Sequence, residues 1–163
     1  YPVMSKALKK TGRDIFYAMC NWGFEDSWTW ASPIANSWCT TTDLFNSWDQ
    51  VLRVFDLQVD ITSFGGRGGW NDLDMPQVGN GGLNFEEAKS HFSLWAALKS
   101  PLIIDCDLNT VAEDQLQIMM ETDIIAIIQD RVGAPARLAV AFRDGQRDHD
   151  VWTVAVADGN VSV

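Results

Sequence analysis

Apolar positions fall into short continuous runs that alternate with amphipathic stretches. Val3 to Lys10 reads as the end of a helix, with Lys9 and Lys10 at its negative terminus and Gly12 as a stop. Asp14-Ile15-Phe16-Tyr17-Ala18-Met19-Cys20 is nearly all apolar, the pattern of a strand buried on both faces of a parallel sheet. An aromatic loop with Trp22, Gly23, Trp28, Trp30 and Pro33 follows. Leu44, Trp48, Val51, Leu52 and Phe55 then recur at helical spacing, predicting a helix that begins near Thr42 or Asp43. The run Gly65-Gly66-Arg67-Gly68-Gly69 cannot be a helix interior and leads into the polar turn Trp70-Asn71-Asp72-Leu73-Asp74-Met75-Pro76.

Asn84 and Glu87 have capping-box spacing, and Phe85, Ala88, Phe92, Trp95 and Leu98 line the helix they open. Pro101-Leu102-Ile103-Ile104 reads as another buried strand. Thr110 and Glu113 form a second capping box before a helix to about Glu121, and Ile124 to Ile128 is a β-branched apolar stretch. Strand, loop and helix therefore recur as βα units around a parallel sheet. After Pro135 the texture changes. Leu138 to Arg143 and Val151 to Ala157 read as strands, with turn-prone Asp144-Gly145 and Asp158-Gly159 beside them. A boundary at Gly133-Ala134-Pro135 divides the chain into residues 1–132 and 133–163.

The chain has 163 residues, a formal charge of −10 and 47% hydrophobic residues. That composition is globular, and no apolar run is long enough for a membrane span. The acidic balance argues against a nucleic-acid partner and fits a neutral or cationic ligand. A closed (β/α)₈ barrel takes about 250 residues, and only about four βα units fit before residue 133. The fold is thus a smaller open α/β sheet or one part of a barrel. The chain opens at Tyr1 without an initiator Met or a visible signal segment, which fits a processed chain or a fragment. The sequon Asn160-Val161-Ser162 reads as a chance match.

Functional groups of parallel α/β folds gather at the C-terminal ends of strands. Three such ends combine amides or carboxylates with an indole: Cys20-Asn21-Trp22, then Asn36-Ser37-Trp38-Cys39 leading to Asp43, then Trp70 to Met75. Acceptors for hydroxyls beside a flat apolar wall make a carbohydrate pocket. The plain alternatives are a helix N-cap for Asp43 and local turn bonding for Asp72 and Asp74. The pairs Asp72/Asp74 and Asp105/Asp107 also have the form of a divalent-metal motif of a nucleotide-sugar transferase, but no P-loop follows the glycines and no cofactor is expected. His91, inside a helix, and His149, in a charged run, read as packed and solvated. At most one disulfide joins two of Cys20, Cys39 and Cys106; the spacing leaves all pairings open.

The strand-end segments resemble glycoside hydrolase family 27, the α-galactosidase and α-N-acetylgalactosaminidase group. The matching runs are Arg13 to Tyr17 into Cys20-Asn21-Trp22-Gly23, Ile34 to Trp38 with Asp43, Gly69 to Met75, Ser100-Pro101-Leu102, and Asp123 to Ile127 with Gln129-Asp130. The resemblance implies the C-terminal half of a (β/α)₈ barrel followed by the start of an antiparallel β-sandwich. It implies retaining hydrolysis of terminal α-galactosides by two carboxylates, with the general acid/base at Asp43. The family's nucleophile lies in a Lys-x-Asp segment upstream of residue 1, and no Lys-x-Asp occurs here, so these residues alone are expected to be inactive. Positions matching Cys20, Trp22, Asp74 and Met75 line the sugar pocket, while Asp72 supports the loop. Asn21 stands where many members carry Glu. Cys39 stands where the family carries Arg, which makes an impaired or non-catalytic galactose-binding relative the alternative. Arg67 and Leu73 fall where Pro is usual, and Ile128 where Asn is usual. The resemblance also implies a secreted or extracellular protein, or alternatively a vacuolar or lysosomal one. It leaves the choice of galactose or N-acetylgalactosamine and the oligomeric state open.

Overall fold

The computed structural model describes residues 1–143, 148–157, 159 and 161–162. The turns expected at Asp144-Gly145 and Asp158-Gly159, the side chain of His149 and the Asn160 sequon lie wholly or partly outside the described residues. Helix α1 (Pro2–Lys9) starts with Pro in its first turn, ends with Lys6 and Lys9 in its last, and is followed by Gly12 at φ 69°. It docks through Ser5, whose hydroxyl donates to the Ile34 carbonyl at 2.7 Å.

Three short strands, β1 (Ala18–Met19), β2 (Ser37–Cys39) and β3 (Trp70–Asp72), form a parallel sheet in the order β1-β2-β3. Met19 pairs with Trp38 and Trp38 with Asn71. The expected burial on both faces over residues 14–20 is not seen: Met19 is buried, but Ala18 beside it is exposed and Phe16 is 62% exposed, because nothing among the described residues covers that face. Residues 101–104 do not form the expected strand. They pair with no neighbour, and Ile103 and Ile104 are 55% and 51% exposed. A strand needs a ladder of backbone partners, which apolar content does not provide.

Helix α2 (Trp48–Asp56) begins five residues later than the pattern predicts. The preceding segment is a loop, in which the Leu44 N–H donates to a side chain on the β3 loop. Val51, Val54 and Phe55 face the core, and Leu52 is turned outward. Helix α3 (Phe85–Ala97) has the predicted reciprocal cap between Asn84 and Glu87, with bonds of 3.0 and 2.9 Å. Ala88, Phe92, Trp95 and Leu98 are buried as expected, whereas Phe85 is exposed. The second capping box does not form. Helix α4 (Glu113–Met119) starts after Ala112, and Thr110 instead turns back to the Asp107 carbonyl. The β-branched stretch lies in helix α5 (Thr122–Gln129), capped by Glu121.

Strands β4 (Arg137–Arg143), β5 (Asp148–Ala155) and β6 (Val161–Ser162) form an antiparallel sheet, with a register shift between Leu138 and Val140. A continuous core of Leu44, Val51, Val54, Phe55, Leu73, Trp95, Leu98, Ala136 and Val154 joins this sheet to α2 and α3. Trp152 stacks obliquely on Phe55, their ring centroids 4.7 Å apart. Asp130, just past α5, accepts from the backbone N–H groups of Val132 at 2.9 Å and Ala157 at 3.0 Å. These bonds hold its carboxyl below the ordinary Asp value. The fold is a partial (β/α) barrel plus an antiparallel sheet.

Candidate active site

Three loops leave the C-terminal ends of β1, β2 and β3 side by side. The first carries Cys20 to Phe24. Its turn is closed by Asn21 Nδ2, which donates to the Phe24 carbonyl at 2.6 Å. Trp22 sits at φ 58° and Gly23 at φ 76°. Glycine is required here, since a Cβ would lie 2.3 Å from the Thr40 carbonyl oxygen. The first loop therefore rests directly on the backbone of the second.

Asp43 lies in the second loop, between β2 and α2. It is exposed and caps no helix. Its Oδ1 accepts from the Trp22 indole Nε1–H at 2.8 Å. The indole, 48% exposed, offers its face to solvent beside that carboxylate. Thr40 fixes the base of this loop: its N–H donates to the Asp72 carbonyl at 3.1 Å, and its hydroxyl accepts from Gln58 Nε2 at 3.1 Å.

The third loop turns at Asp74, which has φ 76°. The Asp74 N–H donates to Asp72 Oδ1 at 3.0 Å, an Asx-type turn that makes this conformation affordable for a non-glycine residue. Asp74 Oδ2 accepts from Leu44 N–H at 2.8 Å and Oδ1 from Met75 N–H at 2.8 Å. Its carbonyl accepts from the buried Trp95 indole at 2.8 Å. Burial pushes the Asp72 carboxyl above its usual value, partly offset by the bond from Asp74 N–H, while the nearby Asp74 charge pushes the same way as burial.

The five residues singled out in the sequence thus meet in one cluster. Trp22 bonds Asp43, Asp74 holds the residue after Asp43, Met75 lies exposed beside Asp74, and Cys20 is covalently joined to Cys39, with Cα atoms 4.7 Å apart. That bond was not resolved by sequence, although both cysteines follow or close adjacent strands. The roles of Thr40, Gln58 and Trp95 were also hidden, because their partners lie far away along the chain.

The competing Asp-x-Asp motif is otherwise engaged. Asp105 accepts from Gln77 Nε2 at 2.9 Å and Asn80 Nδ2 at 3.0 Å, and Asp107 accepts from the backbone and side chain of Asn109, both at 2.9 Å. Among the described residues no group of three His, Cys, Asp or Glu is placed to hold a metal ion. His91 is packed in the core, its Nε2 accepting from Gln77 N–H at 2.9 Å, and desolvation lowers its pKa to about 4.

A family model described as Alpha galactosidase A matches residues 1–130. The α-galactosidase of Cyamopsis tetragonoloba is 40% identical over 163 residues, which are 100% of this chain and 39% of that protein. The crystal structure of α-galactosidase I from Mortierella vinacea superposes with a TM-score of 0.90 at 34% identity, covering 97% of this chain and 44% of that one. The α-galactosidase of Saccharomyces cerevisiae with raffinose gives a TM-score of 0.85 at 33% identity, covering 98% and 41% of the two chains. The chain spans about two fifths of the length of these relatives.

Proposed function

The chain belongs to the α-galactosidase family, glycoside hydrolase family 27, and we propose that it supplies the acid/base half of a retaining glycosidase acting on terminal α-linked galactose. The observation that carries this reading is the Trp22–Asp43 bond at the ends of parallel strands, with Asp74 anchored one residue beyond Asp43. Asp43 is the general acid/base. It gives a proton to the glycosidic oxygen while a carboxylate supplied from outside these 163 residues attacks the anomeric carbon. In the second half-reaction Asp43 takes a proton from the water that releases the sugar. The indole N–H fixes one oxygen of Asp43 and leaves the other to carry the proton.

Asp74 accepts from sugar hydroxyls. Each of its oxygens receives one backbone bond and retains acceptor capacity. The faces of Trp22 and Met75 provide apolar wall, and Cys20 lines the pocket beside them. The relative solved with raffinose, whose terminal residue is an α-galactoside, supports that substrate class. We assign residues 1–132 to the barrel and 133–163 to the start of a β-sandwich. The Cys20–Cys39 bond supports an oxidising, secreted or vacuolar location.

The test is hydrolysis of an aryl α-galactoside by the full-length protein and by residues 1–163. The full-length protein is expected to turn over with the anomeric configuration retained, Asp43→Asn to lose at least about 100-fold in kcat, and residues 1–163 to be inactive. Turnover unaffected by Asp43→Asn overturns the assignment. One observation favours a second reading: Cys39, at the position of the family's Arg, is tied to Cys20 and cannot donate to a sugar. Galactose binding by the full-length protein without turnover would identify the impaired relative.

A further inference from the structure

We propose that the Cys20–Cys39 disulfide is a positioning clamp that seats Trp22 on Asp43, so that the site responds to thiol reduction; the catalytic consequence rests on the reading of Asp43 above. The loop after β1 does not rest in a relaxed conformation. Trp22, Glu25 and Asp26 all occupy positive φ, at 58°, 60° and 51°. Such non-glycine conformations are costly and persist only where their surroundings over-determine them. The surroundings here are four links to the β2 end. Gly23 abuts the Thr40 carbonyl, Ser27 donates to the Cys39 carbonyl at 3.2 Å, Trp22 bonds Asp43, and the disulfide joins Cys20 to Cys39.

Only the disulfide is covalent, and it anchors the loop two residues before the strained segment begins at Trp22. The Trp22–Asp43 bond is solvent-exposed and by itself weak. Cys20 is also exposed, so a reductant reaches the bond from outside. Cys106, the third cysteine, is free and lies elsewhere, against Gly79. Opening the bond with a water-soluble phosphine transfers two electrons from phosphorus to sulfur. Water supplies the phosphine-oxide oxygen and the two thiol protons. The loop is then free to leave positive φ and to withdraw the indole from Asp43.

The experiment treats the full-length protein with phosphine and follows three readouts. Unreduced protein cleaved after Glu25 should yield a Cys20 peptide linked to the Cys39 peptide, and the phosphine should separate them. Trp22 emission, taken as the difference between wild type and Trp22→Phe, should shift to the red on reduction. The value of kcat for an aryl α-galactoside should fall about tenfold or more and return on reoxidation, with thermal stability little changed. A Cys20→Ser/Cys39→Ser variant should match the reduced protein in kcat and ignore phosphine, whereas Cys106→Ser should behave as wild type. Unlinked peptides before reduction, an unchanged Trp22 spectrum, or an unchanged kcat after complete reduction overturns the clamp. If no turnover occurs in either state, the glycosidase reading fails, and the peptide map and Trp22 spectrum still decide the clamp.

Discussion

The backbone N–H of Leu44 donates to Asp74 Oδ2 at 2.8 Å, joining the loop that carries Asp43 to the carboxylate at the turn after the neighbouring strand. Two acidic side chains thirty-one positions apart are thereby held in one frame without touching. On the proposed function Asp74 serves twice, once as a sugar acceptor and once as the brace of Leu44, the residue after Asp43.

Asp74→Asn tests this double service. An amide presents one oxygen and one nitrogen, so it can accept from Leu44 N–H or Met75 N–H but not from both. We expect the full-length protein to lose at least about 100-fold in kcat/KM, equivalent to about 2.7 kcal/mol, with the loss in both KM and kcat. A change in KM alone would separate sugar binding from bracing.

Gly23→Ala would place a methyl group 2.3 Å from the Thr40 carbonyl oxygen at a backbone φ of 76°. Loop or strand end must move. We expect a loss of about 2 kcal/mol or more in unfolding free energy, read from urea titration. A smaller loss in Gly12→Ala, where a Cβ meets nothing within 4 Å, is the control for the positive φ alone.

Trp95→Phe keeps the ring in the core but removes the N–H that bonds the Asp74 carbonyl. The acceptor is left without that donor, which costs about 1–3 kcal/mol when buried. Chemical denaturation should show this loss, and galactose affinity should fall with it, because the turn at Asp74 loses its support from behind.

His91 gives the pH prediction. Its pKa is about 4 in the fold against an ordinary 6.5, because burial disfavours the imidazolium. The unfolded chain therefore binds a proton first as pH falls. The stability linked to this neutral histidine is complete above about pH 6.5 and is lost progressively down to about pH 4. The loss is about 2 kcal/mol between pH 7 and 5. His91→Gln, which keeps an acceptor for Gln77 N–H but does not titrate, should flatten that part of the stability profile in urea titrations at pH 7, 6 and 5.

Periodicity and local chemistry made the helices and the strand ends legible. Asn84 and Glu87 cap α3 as read, since a capping box involves only neighbours. Residues 101–104 are apolar enough for a strand yet lack one, because pairing depends on a partner that composition does not reveal. Thr42 and Asp43 look like a helix start, but α2 begins only at Trp48, and the Leu44 N–H bonds instead across to Asp74, a partner thirty positions away that local pattern does not reveal. That Cys20, Trp22, Asp43, Asp74 and Met75 come together was legible because they follow the ends of adjacent strands. Their cross-links were not: the sulfur of Cys39 meets Cys20, and the indole of Trp22 meets Asp43, only after β1 and β2 have paired in register.

Asp130 carries a consequence for how the chain transmits force. One carboxylate grips Val132 on the way out of α5 and Ala157 on the way back from β5, and the Ala136 N–H is fastened to the Ala97 carbonyl at 2.8 Å between them. The junction at residues 133–135 is therefore a welded corner and not a swivel. A pull on β4 therefore reaches the C-terminal end of α3 through the Ala136–Ala97 bond, and α3 is the helix whose Trp95 holds the Asp74 carbonyl.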